Sequence, residues 1–235
     1  MLRSMTPDAV ASIVARAELF RDLSPEDYAW LLDAGHLQRA DAGEHLFNQG
    51  DPARACYVVL SGEVRLAQVT PDGKRVIIDI IGPGTHLGFL VALTDRPYPI
   101  SAEVIEESDL YVWDAEVMRS LLLKTPSLMM NVMGVFTDRI ICLQRKVQQL
   151  ATERVEQRLA YSLLMLSDHL GRRKGEGILI NAPLTHQDLA EMSGTNIYSV
   201  SRILHRWEED RIVETGRKRI VICSPEQLRE LTHRT

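Results

Sequence analysis

Between Leu184 and Leu204 the chain reads Leu184-Thr185-His186-Gln187-Asp188-Leu189-Ala190-Glu191-Met192-Ser193-Gly194-Thr195-Asn196-Ile197-Tyr198-Ser199-Val200-Ser201-Arg202-Ile203-Leu204. Its polar groups are short hydroxyls and amides with one planar guanidinium. These are donors and acceptors suited to phosphate oxygens and base edges. The apolar positions fall into two helical sets about a single glycine: Leu189, Ala190 and Met192 before it, and Val200, Ile203 and Leu204 after it. Gly194 supplies the positive φ that a tight turn needs. Thr185 with Asp188 three residues on resembles a capping box, although Glu or Gln is the usual partner, and Asn196 caps the second helix. Ile197, Tyr198, Ser201, Arg202 and His205 are left on or near the open side. The pattern predicts a helix-turn-helix whose second helix enters a major groove roughly 12 Å wide. Arg202 would then address guanine O6 and N7, while Thr185, Gln187, Asn196 and Ser199, with His186 beside them, would meet the phosphates. Downstream, Arg211–Thr215 and Lys218–Ile222 flank Gly216, which predicts a hairpin wing bearing Arg217, Lys218 and Arg219 near the backbone.

Other chemistries find little support. No Ser/His/Asp order, glycine-rich phosphate loop or HExxH pattern occurs, and Glu106-Glu107 reads as a solvated turn, so no enzyme is expected. Cys56, Cys142 and Cys223 are odd in number and widely spaced, without a paired CxxC, and no metal site is expected. Buried reduced thiols are the expectation. No uncharged apolar run reaches the roughly 18 residues that span a bilayer. The first twenty residues lack the apolar core and small-residue cleavage site of a secretory signal, so the cytoplasm is the expected compartment.

Net charge is −5, unpromising for a polyanion partner until it is divided along the chain. Residues 1–150 carry 14 Lys/Arg and 20 Asp/Glu, whereas residues 151–235 carry 13 and 12, with His169, His186, His205 and His233 besides. The second part is relatively basic, and the distribution outweighs the sum.

The elements that must position these residues follow from periodicity. Thr6 to Ala17 reads as a short helix with Pro7 at its first position. Between about 19 and 115, short β-branched runs (Cys56–Leu60, Val64–Val69, Val76–Ile81, Ile100–Ile105, Asp109–Trp113) alternate with turn signals at Gly43, Gly50-Asp51, Ser61-Gly62, Asp72-Gly73 and Gly82-Pro83-Gly84. This predicts an all-β roll or barrel. Asp114 caps a helix over Ala115–Lys124, and Pro126 opens a much longer one. From Met129 a heptad fits without a miss: Met129, Phe136, Leu143 and Leu150 at one core position, Met133, Ile140 and Val147 at the other. A narrow stripe over roughly three heptads points to a parallel two-stranded coiled coil, hence a homodimer; a helix packed on its own domain would present a broader face. A further helix over 151–170 ends at the loop Gly171–Gly177, before a short strand at Ile178–Ile180. The expected class is α+β: an N-terminal β-roll of double-stranded β-helix or jelly-roll type over 1–124, a dimerisation helix over 125–150, and a C-terminal winged helix-turn-helix over 151–235.

Taken in order, these parts resemble the Crp/Fnr family of bacterial transcription regulators over nearly the whole chain. Gly43–Asp51, Tyr57–Val64 and Gly82-Pro83-Gly84 with Gly88 are similar to successive turns of its roll. The resemblance implies a homodimer that binds a palindromic double-stranded DNA operator, has RNA polymerase as a partner, and has no membrane association. It places an effector pocket at Gly88, Phe89, Leu90, Ile100 and Ser101, with Leu93 beside them. Members that bind cyclic AMP carry Gly-Glu-Leu and Arg-Ser/Thr-Ala where this chain has Gly88-Phe89-Leu90 and Ile100-Ser101-Ala102. Phe89 accepts no ribose hydroxyl, and Ile100 offers no charged fork to a cyclic phosphate, so the expectation is control by an unidentified effector other than cyclic AMP, or constitutive activity. Some relatives bind heme, for which His36, His45, His86 and Cys56 are candidate axial ligands; ordinary surface or hydrogen-bonding roles are the simpler reading. Many relatives place Arg-Glu where Ile197-Tyr198 stands, so only Arg202 matches their usual base-reading set. The competing function is a small-molecule or heme-based gas receptor whose output is not DNA binding, which would leave the Gly194-centred segment without purpose.

Overall fold

A computed structural model describes residues 5–92, 94, 96–216 and 219–233, with the side chains of Val91, Ala92 and His233 left aside. It separates into two compact units: residues 1–66 with 81–142, and residues 67–80 with 143–235. This cuts the chain differently from the sequence reading, because residues 67–80 leave the roll's segment and join the C-terminal unit.

The first unit opens with helices α1 (Pro7–Val14), capped by the Thr6 hydroxyl, and α2 (Pro25–Asp33), capped by Ser24. Strands β1 (His36–Ala40), β2 (His45–Phe47), β3 (Ala55–Val69), β4 (Arg75–Ile81) and β5 (His86–Leu87) precede a short helix α3 (Phe89–Ala92) and strand β6 (Ser101–Asp114). The sheet order is β1-β6-β3-β4, with β2 on β6 and β5 on β3. Its two long strands bury consecutive residues, Cys56–Leu60 on β3 and Leu110–Trp113 on β6, so both of their faces are covered there and no simple in-out alternation holds. The C-terminal carbonyls of α2 are collected by strand side chains: Trp113 Nε1 donates to Leu31 O at 2.7 Å, and the Tyr111 hydroxyl donates to Leu32 O.

Two expected turns are strand interiors. Cys56–Leu60 and Val64–Val69 belong to one 15-residue strand, and the run after Ile100, from Ser101 to Ile105, joins Asp109–Trp113 in one of 14. Gly62 keeps a φ of +80° inside β3, and a Cβ there would stand 2.2 Å from Ser108 Oγ. The glycine signal is therefore real, but it serves a close approach of β3 and β6 instead of a chain reversal. Glu106 and Glu107 likewise lie on β6, where Glu107 pairs with Arg39.

Helix α4 (Ala115–Lys124) follows at Asp114, whose side chain makes no capping bond, and then α5 (Pro126–Thr152). Leu128, Val132 and Val135 of α5 are buried in the first unit's core, and Asn131 donates to Leu19 O and Arg21 O. The heptad residues Met129, Met133, Phe136, Ile140, Leu143, Val147 and Leu150 are different: each is at least 41% exposed. One helix thus carries both a packed face and an uncovered apolar stripe.

In the second unit α6 (Val155–Leu170) leads into β7 (Gly171–Lys174) and β8 (Gly177–Ile180), then α7 (His186–Ser193), α8 (Ile197–Glu209), β9 (Val213–Gly216), β10 (Arg219–Ile222) and α9 (Pro225–His233). Its strands order as β7-β8-β10-β9. The expected loop after α6 is therefore partly strand, with Arg172 opposite Leu179 and Lys174 opposite Gly177. Leu159, Leu163, Leu166, Leu189, Val200, Leu204, Trp207 and Leu228 fill the interior.

Candidate nucleic-acid interface and effector site

Helix α7 begins in a complete capping box. The Asp188 amide donates to Thr185 Oγ1 at 3.1 Å, and Asp188 Oδ2 accepts from the Thr185 amide at 2.9 Å and its hydroxyl at 2.8 Å. Aspartate therefore closes the box as glutamate would, with its own side chain buried. The helix stops at Gly194, which sits in the left-handed region at φ +62°, ψ 48°. Asn196 then starts α8 by accepting from the Ser199 amide at 2.9 Å.

The last carbonyls of α7 have no partner within the helix and lie at the negative end of its dipole. Two cations collect them. Lys146 Nζ donates to Met192 O at 2.9 Å, and Arg158 donates to Ser193 O at 2.9 Å and Gly194 O at 3.3 Å. Arg158 also holds Glu153 O at 2.7 Å, so one guanidinium staples the α5–α6 junction to the turn. Neither cation was singled out by the sequence reading. Their partners are main-chain oxygens, which leave no mark in side-chain patterns. From α8, Trp207 Nε1 and Arg206 Nη2 reach Glu156 Oε1 of α6 at 3.0 and 2.7 Å.

This scaffold divides α8 into two faces. Val200, Ile203, Leu204 and Trp207 are buried, whereas Ile197, Tyr198, Ser201, Arg202 and His205 are open, with Tyr198 at 83% exposure. Asn196 and Gln187 are exposed, Ser199 and His186 partly so. Gln187 Nε2 meets Glu191 at 2.9 Å, while the Thr185 hydroxyl is committed to Asp188. Gly216 ends β9, and Arg219, opposite it, opens β10; Arg217 and Lys218 lie outside the described residues.

In the first unit, the candidate effector residues are drawn into packing. Gly88 has φ +82° and no room for a Cβ, which would stand 2.8 Å from Ala55 O. Phe89 is 2% exposed, with its ring 5.7 Å from Phe20, 6.0 Å from Trp113 and 5.8 Å from His86. The residue expected to line a pocket instead fills core. Leu90 and Ile100 pack partly buried beside that core, and Ser101 Oγ accepts from the Gln49 amide at 2.9 Å. Tyr98 stacks on Phe47 at 3.7 Å and donates to Ala55 O; Leu93 lies outside the described residues.

The candidate axial ligands are scattered. His36 and His45 are exposed on β1 and β2, Cys56 is fully buried with its thiol pKa pushed up by desolvation, and His86 stands beside Phe89. Burial, aided by the Arg139 charge, pushes the His86 imidazole down to about 4. Among the described residues, no group of three or more His, Cys, Asp or Glu side chains could hold a metal ion, and no helix is long and apolar enough to cross a membrane.

Residues 37–125 match the cyclic nucleotide-binding domain family, and residues 157–231 the Crp-like helix-turn-helix domain. A cyclic AMP receptor protein from Thermus thermophilus is 30% identical over 198 residues, covering 84% of this chain and 88% of that protein. The chain belongs to the Crp/Fnr family of transcription regulators.

Another member, a CRP-like cAMP-activated global transcriptional regulator of Mycobacterium tuberculosis, is 26% identical over 92% of this chain and 96% of its own. A solved candidate cyclic nucleotide binding protein from Ruegeria pomeroyi superposes with a TM-score of 0.68 at 26% identity, covering 98% of this chain and all of that one. This Crp/Fnr regulator therefore carries a β-rich N-terminal domain of the cyclic nucleotide-binding type, a long helix and a helix-turn-helix DNA-binding domain. Its relatives are transcriptional regulators, not enzymes.

Proposed function

We propose that this Crp/Fnr regulator acts in the cytoplasm as a homodimer on a palindromic operator, under control of an effector other than cyclic AMP. The observation that carries the reading is the division of α8. Its buried side is locked to α6, and its open side presents Ile197, Tyr198, Ser201 and Arg202 together. The uncovered stripe from Met129 to Leu150 supports the dimer, since seven apolar side chains at heptad spacing cost free energy in water and gain it against a second copy. Two protomers zipped in parallel would set their recognition helices about 34–36 Å apart, one per half-site. Arg202 reads a guanine edge, Ile197 or Tyr198 touches a thymine methyl, and Gln187, Asn196, Ser199 and the wing cations, Arg217 and Lys218 among them, address phosphates. RNA polymerase is the partner that reads the bound dimer.

The effector site lies beside the packed Phe89, at the partly buried Leu90, Ile100 and Ser101. Phe89 and Ile100 leave a cyclic phosphate and ribose without the acid and guanidinium they require, and a buried phosphate lacking its cation is strongly disfavoured. An apolar or weakly polar ligand fits this composition. Shifts at that site would act through the α5–α6 junction near Leu150–Glu153, altering half-site spacing and thus affinity.

The experiment is selection of bound duplexes from a random pool by the purified protein, followed by titration of the winner at several salt concentrations. A palindromic consensus and a steep negative slope of log affinity against log salt are expected. A flat slope with no enriched sequence would favour a receptor with another output.

A further inference from the structure

The β3–β4 hairpin, residues 67–80, belongs to the same compact unit as the helix-turn-helix, and it grips that motif with ionic contacts. Arg75, the first residue of β4, sets its guanidinium against two carboxylates of α7. Nε lies 2.8 Å from Glu191 Oε2, and Nη2 lies 3.6 Å from Asp188 Oδ1. Asp188 is the buried acid of the capping box, and Glu191 stands one turn further along, bonded to Gln187. Two carboxylates three residues apart on a helix repel each other, the more so where one is shielded from water. A planar fork placed across both relieves that repulsion and orients the helix as a point charge would not. A second contact lies near the other end of β4, where buried Asp79 meets His169 of α6 at 3.4 Å.

We propose that Arg75 is a positioning residue for DNA binding, supplied by the hairpin and acting through Asp188 and Glu191 on α7. It fixes the first helix of the motif, and so the angle at which α8 is offered. It also offsets one of the two negative charges beside Gln187, a side chain assigned to the phosphates. The inference rests on the operator-binding function proposed above. It extends the DNA-reading apparatus to a strand pair that no helix-turn-helix pattern contains.

The test uses the full-length protein and its selected duplex in fluorescence anisotropy. Arg75→Glu should weaken binding at least tenfold, and Arg75→Gln roughly threefold to tenfold. In a Glu191→Arg background, the same Arg75→Glu change should cost less than threefold, because the pair is restored with its charges exchanged. Without DNA, hydrogen exchange over 186–193 should quicken in Arg75→Glu while the melting temperature of the first unit stays put. An equal loss in both backgrounds would overturn the proposal, as would a salt slope lowered by about one in Arg75→Gln, the mark of a direct phosphate contact. So would wild-type affinity with wild-type exchange. Failure of the unaltered protein to bind any duplex would count against the operator reading alone, and the exchange experiment would still judge the ion contacts.

Discussion

Arg158 Nη2 lies 3.3 Å from Gly194 O, joining the first turn of α6 to the left-handed residue at which the helix-turn-helix reverses. With its bonds to Ser193 O and Glu153 O, this side chain satisfies three main-chain acceptors drawn from two helix ends. Arg158→Ala should therefore cost about 1.5–3 kcal/mol in urea unfolding of the C-terminal unit, the range for hydrogen bonds to a charged group. Arg158→Lys should recover only part of it, since an ammonium cannot span three acceptors in a plane. Full recovery by lysine would mean that the charge alone matters.

Gly194→Ala should cost about 1 kcal/mol. The left-handed conformation is the source of the penalty, and the added Cβ would stand at a tolerable 3.4 Å from Leu150 Cδ2. Gly62→Ala should be far worse, because the new carbon would fall 2.4 Å from Glu107 O and 2.8 Å from Ser108 Cα, and main chain does not yield cheaply. Thermal melts of the two variants would rank them; a milder Gly62 variant would contradict the close approach of β3 and β6.

Arg202→Ala should lose about 1–3 kcal/mol on the best operator and relax preference at one base pair per half-site. A gel-shift panel over single-base variants reads both effects. Uniform loss across the panel would demote Arg202 to a phosphate contact.

Ile140→Glu and Val147→Glu should each yield monomers in sedimentation at micromolar concentration without unfolding the chain, because both side chains are uncovered in the protomer. Leu128→Glu, on the packed face of the same helix, should instead unfold the first unit. Dimers surviving both stripe substitutions would exclude the coiled-coil seam.

Stability should fall on acidification through His86. Its imidazole titrates near 6.5 in the unfolded chain but only at about 4 in the folded one. The unfolded state therefore takes up a proton first as pH drops below 6.5, and it gains on the native state until pH reaches about 4. The wild type should lose about 2 kcal/mol more than His86→Asn between pH 7 and 4.5. Parallel pH profiles for the two proteins would show the group to be solvated.

Where sequence and structure agree, the determinants are local. Thr185 with Asp188, Gly194 and Asn196 act within three or four residues of themselves, so their types announce the cap, the turn and the next helix. The heptad from Met129 to Leu150 was legible for the same reason, whereas Leu128, Val132 and Val135 face the core through contacts with distant strands. Gly62 shows the limit of local signals: a glycine that permits a turn and one that permits two strands to touch look alike. Gly171–Lys174 carries the charges and glycine of a loop, yet pairing with β8 decides its state. Phe89 stands where the family resemblance puts a pocket wall, and its neighbours Phe20 and Trp113, distant along the chain, turn it into core.

The order β7-β8-β10-β9 has a consequence for survival in a crowded solution. Among the described residues this sheet does not close on itself, and an open edge offers amides and carbonyls as a template for another chain. On β7, Arg172, Arg173 and Lys174 are all exposed, and an approaching second copy would bring the same three cations against them. Their mutual repulsion would oppose pairing of that edge with its own kind, so the strand that ends the sheet would also guard it.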